Sequence, residues 1–293
     1  MNQVPVFLCA LIILADPPPG RAQDGPAEPG PDKSRYTIFN PTPKKEWREF
    51  NADRPTKSDS PFTVDAGAFM LETDFVNFTM DRHNVDRARV TVRKLMAGQT
   101  NFKIGLTNGI DIEIFTPGYV EMRTTGTDFG PAQTVRGVGD TTVRFKINLV
   151  GNDGGKFALG LIAGVKIPTN SAQLGNKAYE PSFGIPFNYT LPAGFSLFGG
   201  TNINVLKLDD RSGRRVQLNN AVGVTRPIVG HLSAYAEFFA GFSSARGYPW
   251  VGTADVGLVY QVTPNFAVDV SSFFGLTRSA DDLNVFTGFA WRF

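Results

Sequence analysis

Cysteine is almost missing from this chain of 293 residues: there is one, Cys9, and it lies inside an apolar run near the N-terminus. A mature chain cut after that run holds no thiol. That excludes disulfides, thiolate metal sites and cysteine nucleophiles together, and suits an exported protein that does without cross-links. Histidine is scarce as well, with only His83 and His231. Charge is sparse and balanced: Asp, Glu, Lys and Arg make up 19%, 29 bases stand against 27 acids, and the net charge is +2. Neither a nucleic-acid partner nor a polyacidic tail fits that balance. Runs at helical spacing are nearly absent, and no glycine-rich phosphate loop opens a helix. What is abundant is Gly (31), Phe (25) and an apolar fraction of 42%, a composition that leans towards β-structure.

The apolar run, residues 4–15, is twelve residues long and too short to cross a bilayer of roughly 30 Å as a helix. Gly20-Arg21-Ala22 follows it, with small residues at the first and third places, so cleavage by signal peptidase is expected after Ala22. Residues 1–22 are therefore read as a secretory signal. Residues 23–60 are rich in Pro, Gly and charge, with prolines at 26, 29, 31, 41, 43 and 55 that prevent any long regular element. Between 33 and 57 seven bases outnumber three acids. Two expectations stay open for this tail. It is a solvated periplasmic linker, or it folds inward as a plug through Lys44, Lys45, Arg48 and Arg54, with Asp53 beside them.

From Gly67 onward every second residue is apolar and the others are small, polar or charged, the signature of half-buried strands. The last segment alternates best, with Leu283, Val285, Thr287, Phe289, Trp291 and Phe293 on one face and Asn284, Phe286, Gly288, Ala290 and Arg292 on the other. Break residues divide the body into twelve segments: 67–80, 88–106, 109–122, 138–150, 156–168, 179–191, 194–207, 214–226, 231–244, 250–262, 265–276 and 282–293. Tight turns alternate with longer polar connections, so short and long turns sort to opposite ends. A transmembrane antiparallel up-and-down β-barrel of about twelve strands, occupying 61–293, requires this pattern, with both chain ends in the periplasm. Closure is obligatory, since an open edge would leave peptide groups unpaired in hydrocarbon. Phe157, Tyr179, Phe195, Trp250, Tyr260, Phe266 and Trp291 fall near strand ends, where interfacial girdles form. A soluble β-sandwich also alternates, but it would not put Phe, Trp and Leu on a solvent face.

The stretch 36–73 carries Asp53-Arg54-Pro55, Ser-Pro-Phe-Thr-Val at 60–64, and Gly67 with Glu72. These elements resemble those of the outer-membrane transporter family named for the meta-pathway of phenol degradation. Later pieces such as Gly137-Val138-Gly139-Asp140 extend the resemblance over most of the mature chain. The resemblance implies transport at a Gram-negative outer membrane and specifies no substrate. Trp291-Arg292-Phe293 is similar to the terminal signal read by the barrel-assembly machinery, which makes that machinery, lipopolysaccharide and outer-membrane lipid the expected partners.

With apolar residues towards lipid, the inward set reads Glu72 and Asp74, then Arg89 and Arg93, then Asp111 and Glu113, then Arg144 and Lys146, then Lys166. Successive strands alternate in sign, which either fills a narrow barrel with ion pairs or lines a pore. Glu237, Asp255 and Asp269 form an acidic stretch with only Arg292 near it in sequence, and no strand supplies an obvious partner. A field between this stretch and the basic strands would orient polar or aromatic solutes.

The expected function is a passive channel for small solutes, aromatic or hydrophobic ones included, with no cofactor and no enzymatic step. A closed structural or surface-interaction barrel, with its contacts on 123–137, is the alternative, and an outer-membrane lipid hydrolase is the second. The hydrolase must use His83 or His231, which fall at opposite ends of the barrel and cannot share one catalytic or metal site. The acid pairs Asp209-Asp210 and Asp281-Asp282 would hold cations only weakly, as exposed pairs do.

Overall fold

A computed structural model describes residues 32–82, 90–126, 131–172, 174–208 and 212–293. The expected signal segment, His83, Arg89, Asp209 and Asp210 lie outside the described residues. The strands are β1 (Phe69–Asp81), β2 (Val90–Ala97), β3 (Thr100–Thr107), β4 (Ile110–Thr116), β5 (Tyr119–Gly126), β6 (Gln133–Val138), β7 (Thr141–Val150) and β8 (Phe157–Ile167). They continue with β9 (Glu180–Thr190), β10 (Ser196–Lys207), β11 (Arg214–Val229), β12 (Leu232–Ser243), β13 (Val251–Thr263), β14 (Phe266–Gly275) and β15 (Leu283–Arg292). Every pairing is antiparallel, and β15 closes the sheet on β1 from Met70 opposite Arg292 to Met80 opposite Leu283.

Three staves of the wall are each broken once, so β2 with β3, β4 with β5 and β6 with β7 form single staves of a closed twelve-stranded barrel. β1 runs past both halves of the first: its outer part pairs with β2 and its inner part with β3. The breaks at Gly98-Gln99, Pro117-Gly118 and Gly139-Asp140 lie side by side, level with a bulge between Asp74 and Val76. Close approach explains the glycine at 118: a Cβ there would sit 2.4 Å from the Gly98 carbonyl oxygen, and φ is +63°.

Each break inverts the inside–outside phase, because the side-chain period is two. In β3, Asn101 and Lys103 face the lumen opposite Glu72 and Met70. In β2, Met96 and Lys94 take that face opposite Asn77 and Thr79, which turns Arg93 outward. The expectation that Arg93 lines the lumen is thereby corrected. The stave's basic lumen residue is Lys103, on the far side of the break.

Short connections at 107–110, 150–157, 190–196, 229–232 and 263–266 share one end with Phe293 and residues 33–38, and the longer connections share the other. The outward face is apolar: Phe183, Ile185, Val222, Phe238, Leu258, Val270 and Val285 are exposed along the middle of the wall. Phe157, Tyr179, Trp250, Tyr260 and Trp291 are exposed nearer the strand ends. An exposed apolar band flanked by aromatics suits a wall embedded in lipid. The inward face buries charge instead, including Glu72, Asp74, Lys103, Asp111, Glu113, Lys146, Glu237, Asp255, Asp269 and Arg292.

Candidate functional site: a lumen occupied by the N-terminal segment

Residues 46–66 run along the inner wall, with Asp53, Arg54, Lys57 and Ser58 held against it, a placement that fits an inward-folded plug rather than a solvated linker. The segment enters at the end that carries the short turns and Phe293. There Ile38 N–H donates to the Leu106 carbonyl at 2.8 Å and Thr42 N–H to Ala66 at 2.9 Å. Trp47, Phe50 and Ala52 pack on a small core of Val64, Ala68 and Met70. The Arg292 guanidinium lies over the Trp47 ring at 4.9 Å and donates to the Arg48 carbonyl at 2.9 Å. Arg48 itself donates to the Thr63 carbonyl at 2.8 Å and lies 3.3 Å from Asp65. Lys33 bridges Asp65 at 3.1 Å and Asp153 at 2.7 Å.

Deeper in, the turn 53–60 meets two wall sectors of different charge. On β1, β3, β4 and β7 the wall alternates Glu72, Lys103, Glu113, and Arg144 with Lys146, as the pattern of opposite charges on neighbouring strands predicts. The tail adds an acid here. Asp53 lies 2.7 Å from Lys103, 2.8 Å from Lys146 and 3.6 Å from Arg144, while its own N–H donates to Glu72 at 3.1 Å. Asp59 takes Arg144 at 2.7 Å, and Arg144 also pairs with Glu113. Burial alone would raise the Asp53 carboxyl, but Lys103, Lys146 and Arg144 outweigh it and hold the group well below the usual carboxylate range.

The second sector is the acidic stretch on β12, β13 and β14, joined by Asp74 of β1. Its missing partners come from the tail. Arg54 grips Asp269 with two donors, Nε at 2.9 Å and Nη2 at 2.8 Å, and its Nη1 pairs with Asp74. Lys57 lies 3.3 Å from Asp255, and its ammonium sits between the Phe239 and Phe273 rings at 4.7 and 4.4 Å. Burial pulls that ammonium below the usual lysine range, against the attraction of Asp255. Glu237 accepts the backbone N–H groups of Lys57 and Ser58 at 2.8 and 3.0 Å and the Ser58 hydroxyl at 2.6 Å. The Tyr235 hydroxyl donates to the Pro55 carbonyl at 3.1 Å. Gly288 makes room for the arginine, since a Cβ there would lie 2.3 Å from Arg54 Nη2.

Most predicted lumen residues are therefore found inside, with Lys166 in a separate outer cluster beside Asp140 (3.2 Å) and Glu180 (2.8 Å). Two expectations need correction besides Arg93. Lys44 and Lys45 do not pair with the acidic wall: both are exposed in a single 3-10 turn, and Lys44 lies over Trp47 at 5.3 Å. The basic strands do not confront the acidic stretch as an opposite pole, because Lys103, Arg144 and Lys146 are matched locally by Glu72, Glu113, Asp53 and Asp59. Sequence reasoning also passed over Lys57, Asp59, Asp65 and Lys103. Only Lys103 had a signal, the alternation Asn101, Lys103, Gly105.

The turn 53–60 separates two cavities. An outer one of about 270 Å³ is bounded by Asn77, Asn101, Phe115, Phe273 and Phe286. An inner one of about 240 Å³ is bounded by Asn188, Thr225, Ser233, Gln261 and Ala290. Arg54, Pro55, Thr56 and Asp59 line both. Among the described residues no group of His, Cys, Asp and Glu has the arrangement of a metal centre. His231 stands exposed at the 229–232 turn beside Tyr260.

Among solved structures, an outer membrane channel from Pseudomonas putida F1 is similar over 83% of this chain and 100% of its own, with a TM-score of 0.58 at 12% identity. The transport unit of the autotransporter AIDA-I from Escherichia coli is similar over 83% of this chain and 92% of its own, with a TM-score of 0.50 at 12% identity. At such identities the likeness bears on the fold, which is that of outer-membrane barrels. No curated protein matches significantly. A family profile covers residues 52–293, from the plugging turn to the last strand, and by that match the chain belongs to the family described as "Putative MetA-pathway of phenol degradation".

Proposed function

We propose that the protein is an outer-membrane channel through which small solutes pass passively once the turn 53–60 yields, with no chemistry performed on the solute. The observation that carries this reading is the pair of cavities, outer and inner, divided by one turn of chain. A barrel filled for rigidity alone would pack this space with wall side chains. Here the barrier is a separate segment held by ion pairs and hydrogen bonds, and water can replace both kinds of contact.

Aromatic and hydrophobic solutes are the preferred cargo. Phe115, Phe273 and Phe286 offer ring faces to the outer cavity, beside the cations Arg54 and Lys57. The family's description, which refers to phenol degradation, favours the same class. The Gram-negative outer membrane is the location, reached by export with removal of 1–22, and the exposed ring pair Trp291–Phe293 at the closing seam is the feature offered to the assembly machinery.

Planar-bilayer recording on the refolded mature protein tests the reading. Discrete conductance steps, enlarged when 32–60 are deleted and blocked by phenolic solutes, are expected. Silence from both forms, in protein shown to be folded, would leave a closed structural barrel instead.

A further inference from the structure

The phase inversion that turns Arg93 outward also creates a feature that a channel does not require. On the outer face of β2, β5 and β6, Arg93 stands directly opposite Arg123, and Thr134 follows on β6. Both guanidinium groups are exposed, and among the described residues neither meets an acid or a hydrogen-bond acceptor. Like charges directly opposite on neighbouring strands destabilise a sheet. The next row towards the membrane holds Leu95, Glu121 and Arg136, in which the two charges cancel at 2.8 Å. The row below is apolar, with Ala97, Tyr119 and Val138 in register. The surface therefore steps from apolar, through a neutralised pair, to two unneutralised cations on the outer third of the wall.

We propose that Arg93 and Arg123 together hold a phosphate group of an outer-leaflet glycolipid, whose acyl chains lie along Leu95, Tyr119 and Val138. Two guanidinium groups side by side present parallel N–H donors to a tetrahedral anion, and a dianion relieves the repulsion between them. The position selects a lipid source over a free anion. The pair lies above an exposed apolar strip, Leu95, Tyr119 and Val138, as a headgroup lies above its chains. Arg136 does not join the site, since Glu121 occupies it. The proposal rests on the outer-membrane reading but not on conduction, so the two fail separately.

Native mass spectrometry of the full mature barrel released from detergent, titrated with bisphosphorylated lipid A, tests it. The wild type should bind one lipid A at least tenfold more tightly than Arg93→Ala/Arg123→Ala, with single variants between them. Dephosphorylated lipid A should bind the wild type at least tenfold more weakly than the bisphosphorylated form does. That comparison needs no mutant and stands even if the double variant folds poorly. Equal binding of both lipids, or of lipid A by both proteins, would overturn the proposal. Saturable binding of inorganic phosphate with no advantage for lipid A would overturn the lipid source and leave a free-anion site. Unaltered conductance in the double variant is expected, because neither residue faces the lumen.

Discussion

Arg54 and Asp269 lie 215 positions apart in the chain and meet in the lumen through two hydrogen bonds of 2.8 and 2.9 Å. That contact, with the Asp74 pair on the same guanidinium, ties the turn of the tail to the seam where β1, β14 and β15 adjoin. Removing one partner of a buried pair leaves the other charge uncompensated, at a cost of about 3–5 kcal/mol. Here the wall can escape that cost by releasing the turn and letting water reach Asp74 and Asp269. Arg54→Ala should therefore raise the open probability of single channels and expose the 53–60 turn to protease, while the barrel keeps its heat-resistant mobility on gels. A variant that stays as closed as the wild type would show that Arg54 is not a latch.

Among the described residues, four wall acids, Asp74, Glu237, Asp255 and Asp269, are answered by no lysine or arginine of the barrel but by Arg54, Lys57 and tail amide groups. On the opposite sector the wall's own bases Lys103, Arg144 and Lys146 are offset by Glu72, Asp111 and Glu113. A barrel without its tail thus carries a net acidic lining. Deletion of 32–60 should shift the reversal potential in a salt gradient towards cation preference, and Asp255→Asn/Asp269→Asn in that background should move it back. Anion preference in the deleted form would contradict the pairing described.

The Asp53 carboxyl gives the docked tail an acid sensitivity of defined sign. Its value is held far below that of a free aspartate by Lys103, Lys146 and Arg144, despite the opposing effect of burial. A group depressed in the docked state contributes full docking stability above its undocked value, near pH ~4, and loses it as pH falls below that point. Conductance should accordingly rise as pH is lowered below about 4 and fall again on return. Asp53→Asn should be more open at neutral pH and should lose this part of the acid response. An acid response of equal size in wild type and variant would assign it to other carboxylates.

The barrel was legible in the alternation because lipid on one side and charge on the other leave period two as the only pattern that works. All twelve segments correspond to staves of the wall, but the third ends four residues early and the fourth begins five late, because 123–126 and 133–137 are strand rather than loop. The lumen was legible where that alternation is unbroken: Glu72, Asp111, Glu113, Arg144 and Lys146 follow parity alone. It failed at Arg93 because a one-residue shift at Gly98-Gln99, marked in the sequence by the lone glycine at 98, inverts everything on one side of it. It failed at Lys57 and Asp59 for another reason. Residues in an irregular segment have no period, and their partners lie far along the chain, 198 positions for Lys57 and Asp255 and 85 for Asp59 and Arg144. The unpaired acidic stretch was the one sign that something else must enter the lumen, and the basic excess of 33–57 was its complement.

The two faces of the wall should also respond oppositely to the same substitution. Val222 lies midway along β11, faces outward between Gly199 and Phe238, and is 46% exposed. Asn219, three positions earlier, faces the lumen opposite Asn202 and Gly241. In a bilayer, Arg at the midplane of the lipid face costs about 2–4 kcal/mol, whereas a lumen-facing Arg finds water and polar neighbours. Equilibrium unfolding in denaturant from lipid vesicles should show Val222→Arg destabilised by that amount and Asn219→Arg little changed. In a soluble barrel the order would reverse, since Val222 would meet water and an added charge on the inner face would enter a packed core. The sign of the difference between these two variants therefore separates a lipid-embedded wall from a solvated one without reference to conduction.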